Sequence, residues 1–303
     1  MLIFPPVSPS ANIVPPHDSP ILPTTPTSTN GHKWCDQPIR GVLLDIHGVL
    51  YDSGASGAGA GPIPGSVDAV RRLREAGIKT RVVSNASTNT RQKLADRLEN
   101  FGYDFQISDI FTPAPAARHY LLANSLRPHL FVHPNVQAEF DDVPQHEPNC
   151  VVMGDVQHHF AWQKINETFQ ILMQMRTPVL ITLGHGKYYK AVDGMKLDVG
   201  SYAKMLEHAL DTDAITMGKP NDSFFTAAIN HMNLTKSEVV MVGDDIVSDI
   251  YGAQRNQIRA VQVKTGKWLP EWEWHDTIKP DGITDNLAHA VDLIIANESK
   301  SNS

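Results

Sequence analysis

Gly41-Val42-Leu43-Leu44-Asp45-Ile46-His47-Gly48-Val49-Leu50-Tyr51-Asp52 sets a short apolar run directly before a carboxylate and a glycine turn. An unbroken apolar run of strand length suits a strand covered on both faces, as in parallel sheets. Asp45 at the end of such a strand is poorly placed for packing. Open parallel sheets bind ligands at the carboxyl edges of their strands, so Asp45 is a candidate for chemistry. Gly48 lets the backbone turn close to whatever binds there.

Outward from this stretch, strand-length apolar runs alternate with helical periodicity, the signature of an α/β fold. Ser66 is positioned to cap a helix carrying Val67, Val70 and Leu73, stopped by Gly77. A strand over 78–83 follows, and Ser87 or Thr88 can cap the next helix, with Leu94, Leu98 and Phe101 on one face and Gly102 at its end. After Thr112-Pro113-Ala114-Pro115 a second series begins. It has strands over 130–133, 150–153 and 178–183 and a helix over 162–175, in which Trp162, Phe169, Leu172 and Met173 are expected to pack. The first series is expected to resume with a strand over 214–216, a helix over 224–229, strands over 239–242 and 260–263, and a helix through Asp249 and Ala253 between them. The alternation predicts a discontinuous parallel-sheet α/β core over 37–113 and 205–297, with a second domain inserted at 114–204.

Composition narrows the function classes. The chain has 303 residues, 41% hydrophobic and 19% charged, and no stretch approaches the roughly 18 apolar residues of a membrane-spanning helix. Lys plus Arg is 26 against 33 for Asp plus Glu; the net charge of -7 gives no general attraction to nucleic acid or anionic lipid. Eight of the 21 prolines fall before residue 30, interleaved with Ser and Thr, so residues 1–36 are expected to be disordered. No Lys or Arg precedes Lys33, which argues against a signal peptide or a mitochondrial presequence and favours the cytoplasm, with nuclear entry open. Residues 298–303 are expected to fray as a polar tail. Cys35 and Cys150 show no disulfide or zinc spacing.

Two further groups fall at predicted strand ends. Ser84-Asn85 offers a hydroxyl, an amide and free backbone N–H groups ahead of a helix, an arrangement that suits phosphate. Gly218-Lys219-Pro220 and Gly243-Asp244-Asp245-Ile246-Val247-Ser248-Asp249 bring one cation and three carboxylates, and oxygen ligands of this kind suit Mg2+. Each is unremarkable alone, as a turn, a cap or solvated charge. Their order along one sheet is the informative feature.

Asp, then Ser-Asn, then Lys, then Gly-Asp-Asp-x-x-x-Asp resembles the four motifs of the haloacid dehalogenase (HAD) superfamily of phosphatases. Within it, Leu50-Tyr51-Asp52-Ser53-Gly54, Pro113-Ala114-Pro115-Ala116-Ala117, Asn149-Cys150-Val151-Val152 and Leu197-Asp198-Val199-Gly200 resemble the branch acting on pyrophosphate, phospholysine and phosphohistidine. The resemblance implies a Rossmann-like parallel-sheet HAD core with a large inserted α/β cap domain, in agreement with the insertion read from patterning, and catalysis through an aspartyl phosphate. Asp45 would be the nucleophile, and Ser84 and Asn85 would hold phosphoryl oxygens together with Ile46 and His47. Lys219 would neutralise both the phosphoryl group and Asp45. Asp45, Asp244 and the main-chain carbonyl of His47 would bind Mg2+, with Asp249 and Asp245 orienting water beside it. A homodimer is likewise implied.

His47 departs from the pattern, because most HAD phosphatases carry a second aspartate there and the pyrophosphate branch a serine. A missing acid matters least for good leaving groups such as phosphate or a protonated amine. The imidazole either acts as the acid itself or is a bystander whose carbonyl alone meets the metal. In the predicted cap, Gly184-His185-Gly186-Lys187-Tyr188-Tyr189-Lys190 is a candidate substrate contact. A small-metabolite phosphomonoesterase of the same fold and a phosphate sensor with little turnover are the rival readings.

Overall fold

A computed structural model describes residues 33–53, 60–191 and 193–301. In chain order, β1 (Gly41–Leu44), the hairpin strands β2 (Tyr51–Ser53) and β3 (Ala60–Pro62), α1 (Ser66–Glu75), β4 (Lys79–Val83), α2 (Arg91–Asn100) and β5 (Ile110–Phe111) come first. They are followed by α3 (Pro113–Ala123), β6 (Pro128–Phe131), β7 (Cys150–Met153), α4 (Trp162–Met173), β8 (Leu180–Thr182), the hairpin strands β9 (Tyr188–Ala191) and β10 (Gly194–Leu197), α5 (Val199–Leu210) and β11 (Ile215–Thr216). The chain closes with α6 (Asp222–His231), β12 (Val239–Gly243), α7 (Gly252–Arg255), β13 (Arg259–Val263), β14 (Gly282–Thr284) and α8 (Leu287–Ser301).

Six strands form one parallel sheet in the order β14-β13-β12-β1-β4-β5. Both faces are covered, which is why β1 reads as an unbroken apolar run. Val42 and Leu44 pack with Ala69, Val70 and Leu73 of α1 and Leu287, Val291 and Ile294 of α8. Leu43 points the other way, onto Phe224, Phe225 and Ile229 of α6. Each such side chain is worth roughly 1.5–3 kcal/mol when fully buried. A second parallel sheet, β11-β8-β7-β6, carries its own apolar layers on either side.

Several expectations change in detail. Ile215–Thr216 pairs with Ile181–Thr182 of β8, so the 214–216 strand belongs to the second sheet and not to the first. Helix α5 runs unbroken through the expected break at 204/205, burying Val199, Ala203 and Leu206 against the second sheet, and so 205–216 goes with the inserted segment. Ser66 lies inside α1 instead of capping it; Gly65 holds the cap position at φ 78°, and the buried Ser66 hydroxyl donates to the Leu50 carbonyl at 3.0 Å. Thr90 caps α2, accepting from Lys93 N, whereas Ser87 and Thr88 line a cavity. Leu172 packs as expected, but Trp162 and Met173 are exposed.

Of the segment expected to be disordered, residues 1–32 lie outside the described residues, and 33–36 are ordered. Trp34 is buried within a short helical turn, Lys33–Cys35. The Arg259 guanidinium fastens this strand-entry segment by donating to the carbonyls of Trp34, Gln37, Pro38 and Ser237 at 2.6–3.1 Å. The tail differs too, because α8 continues to Ser301, with no glycine or proline to stop it and the Asn297 amide bonded to the Cys35 carbonyl. No helix among the described residues is long and apolar enough to cross a membrane.

Lysine cannot reproduce a planar fork serving four carbonyls. Arg259→Lys should therefore lower unfolding stability by about 2 kcal/mol, measured by urea denaturation, with amide exchange rising first in residues 33–40. A change below about 0.5 kcal/mol would contradict the anchoring role.

Candidate active site

In the first sheet β12, β1 and β4 are neighbours, with Leu44 level with Val242 and Val82. Asp45, Asp244 and Ser84 each leave one of these strands and therefore emerge side by side at its carboxyl edge. The predicted residues Asp45, Ser84, Asn85, Lys219, Asp244, Asp245 and Asp249 all line one cavity of about 480 Å³, as does His47. Ile46 is fully buried in the packing beneath Asp45 and is not among the lining residues, so any contact it offers a ligand is through its main chain.

Lys219 arrives differently from expectation. It is carried by the turn leaving β11 of the second sheet, ahead of α6. Asn85 fixes that turn: its Nδ2 donates to the Lys219 carbonyl at 2.9 Å and its Oδ1 accepts from Lys219 N at 2.8 Å. The Asn85 side chain is thus used to place the lysine, which leaves its main-chain N–H as the group it can offer a phosphoryl oxygen. The Lys219 ammonium, 2% exposed, donates to Asp45 Oδ1 at 2.6 Å and lies 2.6 Å from Asp249 Oδ1, the latter without hydrogen-bond alignment. Burial works against the ammonium, but Asp249 and Asp45 outweigh it and raise its pKa above the usual lysine value.

Asp244 is flanked by two glycines whose lack of a side chain makes room for its carboxylate. A side chain on Gly48, at φ 80°, would come within 2.4 Å of Asp244 Oδ2, and one on Gly266 within 2.1 Å. Burial first, then the Asp45 charge, pushes the Asp244 carboxyl well above the ordinary carboxylate pKa. Asp249 is brought back to it by a π-helical turn, Ile246–Tyr251, with Asp249 N and Ile250 N both donating to the Asp245 carbonyl. Such wide turns often mark functional positions. Gly243 makes the return possible, as a Cβ there would strike the Asp249 carboxylate at 2.3 Å.

Asp245 has other work. Its Oδ1 caps the π-helical turn by accepting from Val247 N and Ser248 N, and its Oδ2 pairs with Lys267 at 3.1 Å. Burial opposes its ionisation, but Lys267 and these N–H groups together hold its pKa below normal. Sequence reasoning missed Lys267, whose main-chain N also donates to Asp244 Oδ2 at 2.6 Å. The available signal was Thr265-Gly266-Lys267, a glycine turn with a cation after one more strand of the same sheet. Arg97, Asp155 and Asp198, which also line the cavity, were not assigned there either, whereas Tyr189 of the expected substrate-contact stretch does reach it.

His47 Nε2 lies 3.1 Å from the Tyr51 hydroxyl, ring edge to ring face. Burial lowers its pKa, against the opposing pull of Asp45, so the imidazole is uncharged at neutral pH.

One oxygen each from Asp45, Asp244 and Asp249 lie within 4.8 Å of one another. Hard carboxylate oxygens gathered at this spacing from three buried side chains fit an ion of the Mg2+ type. The carboxylates Asp45, Asp244, Asp245 and Asp249 outnumber the neighbouring cations Lys219 and Lys267, which favours binding of a cation among them.

Comparison with known proteins gives the class. Residues 42–143 match the model of haloacid dehalogenase-like hydrolases and residues 216–290 that of HAD-hydrolase-like proteins. The chain belongs to the haloacid dehalogenase-like hydrolase family and is a phosphohydrolase. It is similar to the phospholysine phosphohistidine inorganic pyrophosphate phosphatases of Xenopus laevis and Homo sapiens, each 47% identical over 86% of this chain and 96% of the relative. In fold it resembles a 4-nitrophenylphosphatase of Thermotoga maritima, with a TM-score of 0.77, 21% identity, and coverage of 87% of this chain and all of that one.

A divalent cation that binds only the folded carboxylate group stabilises it by mass action. At pH 7.5, Mg2+ should raise the melting temperature of the wild type. Asp244→Asn should melt higher than wild type without Mg2+, because a buried like charge is gone, and should lose most of the Mg2+ response. An equal Mg2+ shift in both proteins would contradict the assignment.

Proposed function

We propose that the chain is a Mg2+-dependent phosphatase that cleaves inorganic pyrophosphate and the P–N bonds of phospholysine and phosphohistidine through an aspartyl phosphate on Asp45. The observation that carries this reading is Asp45 at the strand edge, bonded at 2.6 Å to the buried Lys219 ammonium beside two further buried carboxylates. The named activity of relatives at 47% identity supports the substrate class.

An Asp45 oxygen attacks phosphorus and forms the new O–P bond, while the electron pair of the breaking bond goes to the departing oxygen or nitrogen. Water then attacks phosphorus, frees phosphate and restores the carboxylate. Lys219 offsets charge on both Asp45 and the phosphoryl oxygens throughout. The Ser84 hydroxyl, buried one residue past β4, and the Asn85 main-chain N–H hold those oxygens. Asp45, Asp244 and the His47 main-chain carbonyl, with Asp249 beside them, would hold Mg2+, which would supply positive charge that eases the approach of a carboxylate to an anionic phosphate.

Phosphate release from pyrophosphate and phospholysine should require Mg2+ and fall by more than about 10³-fold in Asp45→Asn. Activity confined to a plain phosphomonoester would overturn the substrate class while leaving the nucleophile in place. Burial lowers the pKa of His47 and so disfavours the imidazolium form that would act as a general acid at neutral pH. Removing a general acid costs about 10²–10⁴ in rate; His47→Ser should lose less than about tenfold and keep the acid limb of the wild-type pH–rate profile. Loss of that limb would make the imidazole the proton donor.

A further inference from the structure

The cavity wall contributed by the second sheet has charge of one sign only. Asp155 follows β7 by way of Gly154, Asp198 caps α5, and with Gln157, Tyr189 and Ala191 they make up that part of the lining. Asp155 is 7% exposed, and its main-chain N lies 3.4 Å from Ser87 Oγ, on the loop that also carries Ser84 and Asn85. Its Oδ1 accepts from Gln157 N at 2.8 Å, and Asp198 Oδ1 accepts from Val199 N at 2.7 Å. Neither forms an ion pair among the described residues. Burial raises the pKa of both, with Asp198 also feeling Asp155 and Asp245 against the opposing charge of Lys267. Of the cations lining the cavity, Lys219 pairs with Asp45 and Asp249 and Lys267 with Asp245, while Arg97 lies on α2 and not on the wall that Asp155 and Asp198 form. Lys187, a sequence candidate for holding an anion, is exposed and is not among the lining residues.

We infer that Asp155 and Asp198 form a leaving-group subsite that selects phosphoryl donors whose departing side is cationic over those whose departing side is a second phosphate. The inference rests on the phosphatase reading and sharpens it. In P–N cleavage the bridging nitrogen is protonated before the bond breaks, and the P–N electron pair then goes to that nitrogen, releasing an amine. Positive charge therefore sits on the leaving side until cleavage, and free lysine adds its α-ammonium. Pyrophosphate instead presents negative charge to the same wall, where like charges brought together disfavour binding.

The test is kcat/KM of Asp155→Asn, Asp198→Asn and the double variant for phospholysine, pyrophosphate and 4-nitrophenyl phosphate. Asparagine keeps the acceptor oxygen for Gln157 N and Val199 N, and melting temperatures within about 3 °C of wild type confirm folding. The phospholysine-to-pyrophosphate ratio should fall about tenfold or more in the double variant, phospholysine losing and pyrophosphate gaining, while 4-nitrophenyl phosphate stays within about twofold. An unchanged ratio, or parallel loss on all three, overturns the inference. If the wild type cleaves neither phospholysine nor pyrophosphate, the proposed substrate class has failed. O-phosphoethanolamine against phosphoglycolate then reads the same charge selection: a cationic preference erased in the variants upholds the subsite, and its persistence or absence overturns it.

Discussion

A lysine ammonium buried between two carboxylates is the constraint on which the rest of the site depends. Taking an ammonium or a carboxylate out of water costs several kcal/mol each, so Lys219, Asp45 and Asp249 are tolerable only together. Removing one partner would strand the others. The surrounding peculiarities follow from that requirement. Asn85 clamps the main chain of Lys219 so that its ammonium arrives at the strand edge, and Gly243 and the π-helical turn return Asp249 to meet it. Asp244 is squeezed in beside Asp45 by two glycines. The arrangement remains short of positive charge. That deficit is what makes it a receptor for a divalent cation and then for a phosphoryl group.

The first sheet was legible because its strands are buried on both faces and therefore read as apolar runs, and the site because Asp45, Ser84 and Asp244 stand immediately past such runs. What escaped was decided by tertiary contact. Ile215–Thr216 is apolar enough for either sheet, and only its pairing with β8 assigns it. Nothing local distinguishes Ser66 as a cap from Ser66 as a buried donor to Leu50. Lys267 sits after a strand as the other motifs do, but a lysine following a glycine is common on surfaces and gains meaning only from Asp244 and Asp245 nearby. The contribution of Asp155 and Asp198 depends on two sheets meeting at one cavity, which no window of sequence contains.

The two halves of the cavity therefore divide the work. The first sheet's edge gathers Asp45, Ser84, Asn85 and the motif from Asp244 to Asp249, and the second sheet delivers Lys219 to them, where charge must be balanced closely. The second sheet lines the remaining space with Asp155, Asp198 and Tyr189, where selection among leaving groups takes place. His47, neutral and held by Tyr51, fits a reaction in which the departing group needs little help from an acid.

The central claim is that Asp45 itself carries the phosphoryl group. Borohydride reduces an acyl phosphate to an alcohol, converting a phosphorylated aspartate to homoserine, so enzyme quenched during turnover of pyrophosphate and digested for mass spectrometry gives a direct reading. Homoserine at position 45, absent when substrate is omitted, is the result expected. An unmodified Asp45 under turnover conditions that release phosphate, or homoserine at another acid of the site, would contradict the account.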